Sequence, residues 1–109
     1  MFEGLKNMGE MMKLMGQLPR MQAQMAEMQE RMRNLRLVGE SGAGMVKVTV
    51  SGLNEVIAVE IDPEVLKDAE TVGPLVAAAT NTALMKAKTA MAEASAAAMG
   101  IQLPPGMQP

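Results

Sequence analysis

Two hydrophobic rhythms divide the chain. From residue 20 to 36, "RMQAQMAEMQERMRNLR", apolar side chains fall at Met21, Met25, Met28, Met32 and Leu35. The gaps of four and three give a narrow heptad stripe, the signature of a helix that seats against another helix. Charged residues, including Glu27, Glu30, Arg31 and Arg33, lie off the stripe. The rhythm then changes to a period of two. Val46, Val48 and Val50 alternate with Lys47, Thr49 and Ser51, and Ile57, Val59 and Ile61 alternate with Ala58, Glu60 and Asp62. Each run predicts a strand with one buried and one wet face. "SGLN" reads as the turn between them. Leu37 and Val38 begin a further strand that pairs through the "GESGAG" loop, which completes a three-stranded antiparallel meander.

After a short connector at "DPEVLKDAET" the pattern turns helical again from about residue 71. Eleven alanines between 77 and 98 favour a helix, Pro74 suits its first turn, and Gly100 is the expected stop. The fold class is therefore α+β: an N-terminal helix, a three-stranded antiparallel sheet and a long C-terminal helix. The boundaries read as 1–18, 19–100 and 101–109. In the first segment Gly4, Gly9 and Gly16 weaken helix formation, although Met11, Leu14 and Leu18 continue the stripe. Pro19 marks the firm start of the first helix. The tail "IQLPPGMQP" cannot continue a helix.

Length and composition add a constraint. The last helix, at 1.5 Å per residue, spans about 40 Å, whereas a compact globule of this length is roughly 35 Å across, with a radius of gyration of about 13 Å. Its stripe and that of the first helix then lack internal partners, and a symmetric second copy is the simplest cover. The seam expected of such a homodimer is Met21, Met25, Met28, Met32 and Leu35. Phe2 is the single aromatic residue among 109, and methionine numbers 14, so the core is aliphatic and adaptable. A plain intrachain core is the simpler reading of the stripe, and a Met-rich groove for peptides or lipids is a third, but a groove needs opposing walls.

The chemistry available is limited. With no cysteine and no histidine, disulfides, thiolates, an imidazole base and nearly every zinc site are excluded. Glu55, Glu60, Asp62 and Glu64 read as a solvated acidic face, and "GESGAG" as a hairpin, since a strand and not a helix follows it. No nucleophile–base set, cofactor site or metal site emerges, and neither an enzymatic activity nor a small-molecule substrate is expected. The absence of cysteine, a leader-like start or a long apolar run makes the cytoplasm the expected compartment, with no membrane partner. Net charge is −2, unevenly spread. Residues 1–38 hold six basic and four acidic groups, whereas 39–75 hold two and seven. The candidate polyanion contacts are Arg20, Arg31, Arg33, Arg36, Lys47, Lys86 and Lys88. Arg31, Arg33 and Arg36 gather at the end of the first helix, where they also complement its dipole.

"VGESGAGMVKVTVSG", "VEIDPEVL", "LVAAATNTALMKAK" and "LPPGM", in this order, resemble the YbaB/EbfC family of bacterial nucleoid-associated proteins. The resemblance spans residues 19–106. It implies a tweezer-like homodimer with projecting helices that binds double-stranded DNA with limited sequence preference and alters its conformation. It further implies a place in the nucleoid and roles in nucleoid organisation, gene regulation and DNA protection. The family's contacts are attributed to basic groups on the helices, onto which Arg20, Arg31, Arg33, Arg36, Lys86 and Lys88 map. The alternative from the residues themselves is a protein-interaction module in which the Met-rich helix binds a partner protein.

Overall fold

The structure, a computed structural model, describes residues 2–100, with side chains described from residue 7. The tail expected at 101–109 lies outside the described residues. The elements run α1 (Phe2–Asn34), β1 (Arg36–Ser41), β2 (Val46–Ser51), β3 (Val56–Ile61), α2 (Pro63–Leu66) and α3 (Ala69–Ala98). The strands form one antiparallel sheet in the order β1-β2-β3, as the period-two pattern predicts.

The chain divides into two compact units between Glu30 and Arg31. The described residues of the first are helical and belong to α1. That helix begins at Phe2 and carries Pro19 inside it, whereas the spacing alone placed its firm start at Pro19. One proline removes a single hydrogen bond, and Met, Leu, Lys, Gln and Glu on both sides are good helix formers.

The second unit holds the last turn of α1, the sheet, α2 and α3. Paired residues share a face, so three rows cross the sheet on the α3 side: Leu37–Val50–Val56, Gly39–Val48–Val59 and Ser41–Val46–Ile61. Val46, Val48 and Val50 are fully buried and pack with Val65, Ala79, Ala83 and Ala87. The alanines repeat every four residues, which places them on one face of α3. That face comes close to β1 because position 39 has no side chain. A Cβ there would lie 2.0 Å from the Ala79 carbonyl oxygen and 2.5 Å from the Ala83 nitrogen. The Ser41 hydroxyl donates to the Leu75 carbonyl in the same contact.

With α3 seated on β1 and β2, β3 is left out. The sequence expects β3 to be half-buried like β2. Instead Val56, Ile57 and Val59 are exposed, and only Ile61 is partly covered. A bulge opposite Thr49 and Val50 also shifts the register, so Val50 pairs with Val56 rather than with Ile57.

Turn chemistry accounts for the connections. Gly42, Ala43 and Gly44 all have positive φ in the first hairpin, the conformation glycine tolerates best. In the second, buried Ser51 accepts from the Leu53 and Glu55 N–H groups at 3.2 and 3.3 Å. Asp62 and Asp68 cap α2 and α3 by accepting from Glu64 N and Glu70 N. Because the Asp68 cap starts α3 at Ala69, Pro74 falls inside the helix instead of in its first turn. Gly100, at φ +71°, follows the end of α3 as expected.

Candidate nucleic-acid interface

The expected contacts fall on three places. Arg20 lies in the first unit, exposed on α1 beside Pro19. Arg31, Arg33 and Arg36 lie at the end of α1 and the start of β1, and Lys86 and Lys88 lie on α3. All six are exposed.

The α1 terminus is built around Met32, which is buried. Its carbonyl accepts from Gly52 N at 2.8 Å and from Leu35 N at 3.2 Å. A Cβ on Gly52 would stand 2.7 Å from that same carbonyl. The glycine of the "SGLN" turn therefore fixes where the helix ends. Arg31 and Arg33 follow from this: each is about 100° around the helix from Met32, so they leave on opposite flanks. Both also sit in the last turn, where positive charge complements the helix dipole. Arg36 is partly committed. Its Nη1 donates to the Arg33 carbonyl at 2.7 Å and the Leu35 carbonyl at 3.0 Å, so it satisfies carbonyls that the helix end leaves open.

Lys86 and Lys88 likewise flank a buried residue, Ala87. Lys86 Nζ donates to the Val38 carbonyl of β1 at 2.7 Å. It also lines a groove of about 310 Å³ with Leu37, Thr89, Ala90 and Glu93, where Glu93 would repel an approaching phosphate. Lys88 emerges on the other flank of the helix. Lys47 is set 3.9 Å from Glu40. The structure thus groups Arg31, Arg33 and Arg36 around one helix end, while Lys86 is drawn onto the sheet.

The expected seam divides as well. Met32 is buried and Leu35 half-buried within the second unit, and Met28 is half-buried. Met21 and Met25 are 56% and 61% exposed, as are Met8, Met11, Leu14, Met15 and Leu18 to similar degrees. What sequence reasoning missed is the part played by Gly39, Gly52 and Lys86. The first left a signal, since Ala79, Ala83 and Ala87 at four-residue spacing mark a helix face able to approach a backbone closely.

The acidic residues serve local structure. Asp62 and Asp68 are caps, and Glu60 stands opposite Lys47 on the sheet. Asp68 titrates below its ordinary value, chiefly because the Thr71 hydroxyl donates to it at 2.6 Å; desolvation opposes this less strongly, and the Glu70 and Thr71 backbone N–H groups each lower it a little further. Among the described residues no group of three or more histidine, cysteine, aspartate or glutamate side chains gathers to hold a metal. No helix among them is long and apolar enough to cross a membrane.

A family model described as the YbaB/EbfC DNA-binding family matches residues 8–101. Over 71 residues the chain is 49% identical to a nucleoid-associated protein of Chlorobium phaeobacteroides (strain BS1). That match covers 64% of this chain and 64% of the relative, so the chain spans somewhat less than two thirds of the relative's length. In fold it is similar to an uncharacterized protein of Helicobacter pylori known from a crystal structure. The TM-score is 0.73 at 24% identity, covering 79% of this chain and 92% of the other.

Proposed function

The chain belongs to the YbaB/EbfC DNA-binding family, and from that premise we propose that it binds double-stranded DNA as a homodimer and alters its conformation in the nucleoid. Roles in nucleoid organisation, gene regulation and DNA protection follow from that activity. The family match over residues 8–101 carries the reading. Arg31 and Arg33, exposed at the end of α1, are the residues assigned to phosphate contact, and Arg20 and Lys88 are assigned the same role. Arg36 and Lys86 contribute charge, but each also holds a backbone carbonyl.

Such a surface would hold DNA without reading bases. Arginine matches phosphate geometry, and each phosphate contact releases counterions irrespective of sequence. The near absence of aromatic side chains disfavours stacking on single strands. The test is a gel shift on duplex DNA in about 50 mM salt, a range in which phosphate contacts are strong. The double variant Arg31→Glu, Arg33→Glu is expected to lose binding that the parent shows at micromolar protein. Unchanged affinity would remove these two residues from the interface, and no binding by the parent would remove the DNA reading itself.

The exposed methionines of α1 favour a second reading, in which this row docks a partner protein and DNA is incidental. A purified partner that stays bound in 1 M salt, and is released when Met21 and Met25 become glutamine, would support that reading.

A further inference from the structure

We propose that Met8, Met11, Met12 and Met15, near the start of α1, form a thioether site for a soft monovalent cation, copper(I). Such a site stands apart from the DNA reading above.

The four methionines fall within eight residues, "MGEMMKLM", and all lie in α1. At about 100° and 1.5 Å per residue they occupy an arc of about 100° and a length of about 10 Å. Met8 is three and four residues from Met11 and Met12, and Met15 is four and three residues from the same two. At those spacings helix side chains are neighbours, about 5–6 Å apart at Cβ. Met11 and Met12 therefore stand between Met8 and Met15, and the flexible, unbranched side chains let the sulfurs turn toward a common centre.

Packing alone does not account for this arc. A stripe that only seats against another element is served as well by leucine, an equally good helix former, and the adjoining flank does use it, at Leu14 and Leu18. Within these two turns, however, every position on the arc is methionine. The four side chains are also open to solvent, at 60%, 60%, 72% and 65% exposure. Gly9 and Gly16 border the arc on its other flank, and a Cβ at either would meet nothing within 4 Å. Two glycines weaken the helix, but they leave the approach to the sulfurs clear.

The donor chemistry selects the ion. Thioether sulfur is neutral and soft, and soft ligands favour copper(I) over the hard cations that take oxygen. With no cysteine and no histidine in the chain, thioether is its one soft side-chain donor. Glu10 and Lys13, the charged residues inside the segment, lie about 150° around the helix from the centre of the arc. No carboxylate is at hand there for calcium or magnesium, and no ammonium repels a cation. A closed-shell ion has no geometric preference from its d electrons, so a trigonal set drawn from the four sulfurs serves as well as a tetrahedral one. Met21, Met25 and Met28 follow farther along α1 in single file, and Met28 is half-buried, so that row is the poorer site and the natural control.

The test is an anaerobic titration of the full chain with copper(I), kept reduced by ascorbate, against a chromophoric copper(I) chelator. One copper(I) per chain is expected, and X-ray absorption of the loaded protein should show a shell of sulfur. A thioether has no proton to release, so the affinity is expected to be equal at about pH 5 and pH 8 once the chelator's own protonation is allowed for, unlike that of sites whose ligands must deprotonate. The quadruple variant Met8→Leu, Met11→Leu, Met12→Leu, Met15→Leu keeps apolar, helix-forming side chains, so it is expected to retain its circular dichroism and lose capture. Met21→Leu, Met25→Leu is expected to bind like the parent. If the quadruple variant loses helix, silver(I) added to the parent decides, as a redox-inert stand-in read by methionine methyl NMR. The methyl signals of Met8, Met11, Met12 and Met15 are expected to move and those of Met21 and Met25 to stay. No capture by the parent at micromolar copper(I), capture kept by a folded quadruple variant, or a shell of nitrogen and oxygen would each overturn the proposal. So would silver(I) shifts centred on Met21 and Met25 or spread evenly over all 14 methionines.

Discussion

Single positions carry much of the fold. Gly39 stands where the backbone of α3 meets β1, and a methyl group there would run into main-chain atoms of Ala79 and Ala83 that cannot rotate away. Gly39→Ala is therefore expected to destabilise the protein by about 3 kcal/mol or more, above the usual range for overpacking, as read by chemical denaturation. Asp68 acts through its ionised form, which caps α3. Its folded-state pKa lies below the unfolded value of about 3.9. The unfolded chain therefore takes up the proton first as pH falls. The cap's contribution is present above pH 4 and is lost as pH drops through the lowered folded-state value. Asp68→Asn should flatten the acid limb of a stability-versus-pH curve while keeping a capping oxygen. An unchanged acid limb would show that the Thr71–Asp68 contact does not couple to folding.

At the scale of elements, α1 is one helix with two environments. Met32 is buried against the second turn, whereas Met21 is mostly exposed. Met32→Ala should cost roughly 2–4 kcal/mol, in the range for a buried methionine, and Met21→Ala within about 0.5 kcal/mol, as for an open surface position. Equal costs measured by urea denaturation would mean that both methionines are covered. The sequence shows these side chains at one spacing, so the difference between them was not legible. Periodicity reports which residues share a face, and only tertiary contact decides what that face meets. The strands and α3 were legible because Val46, Val48 and Val50, and the alanines, follow their periods without interruption. β3 was legible as a strand, but its exposure was not. That depends on how far α3 extends over the sheet, which in turn depends on Gly39 allowing it to settle on β1. Among the candidate contacts, Arg31 and Arg33 could be placed from helix register alone. The engagement of Arg36 with the α1 carbonyls and of Lys86 with β1 could not, since both depend on chain positions brought together only by folding.

For the whole molecule, the question is how a chain of net charge −2 could hold a polyanion. The charge is segregated: the first 38 residues carry the surplus of base and the region from β1 to the start of α3 the surplus of acid. A two-fold dimer would double the basic helix ends without averaging them with the acidic surface, and phosphate contacts of this kind weaken steeply with salt. The most direct measurement is a titration of duplex DNA by fluorescence anisotropy from 50 to 200 mM salt. The expected result is a linear fall of log affinity with log salt, with a slope of at least about −3, corresponding to three or more phosphates neutralised, and little change between DNA sequences of the same length. Absence of binding at micromolar protein in the lowest salt, or an affinity indifferent to salt, would contradict it.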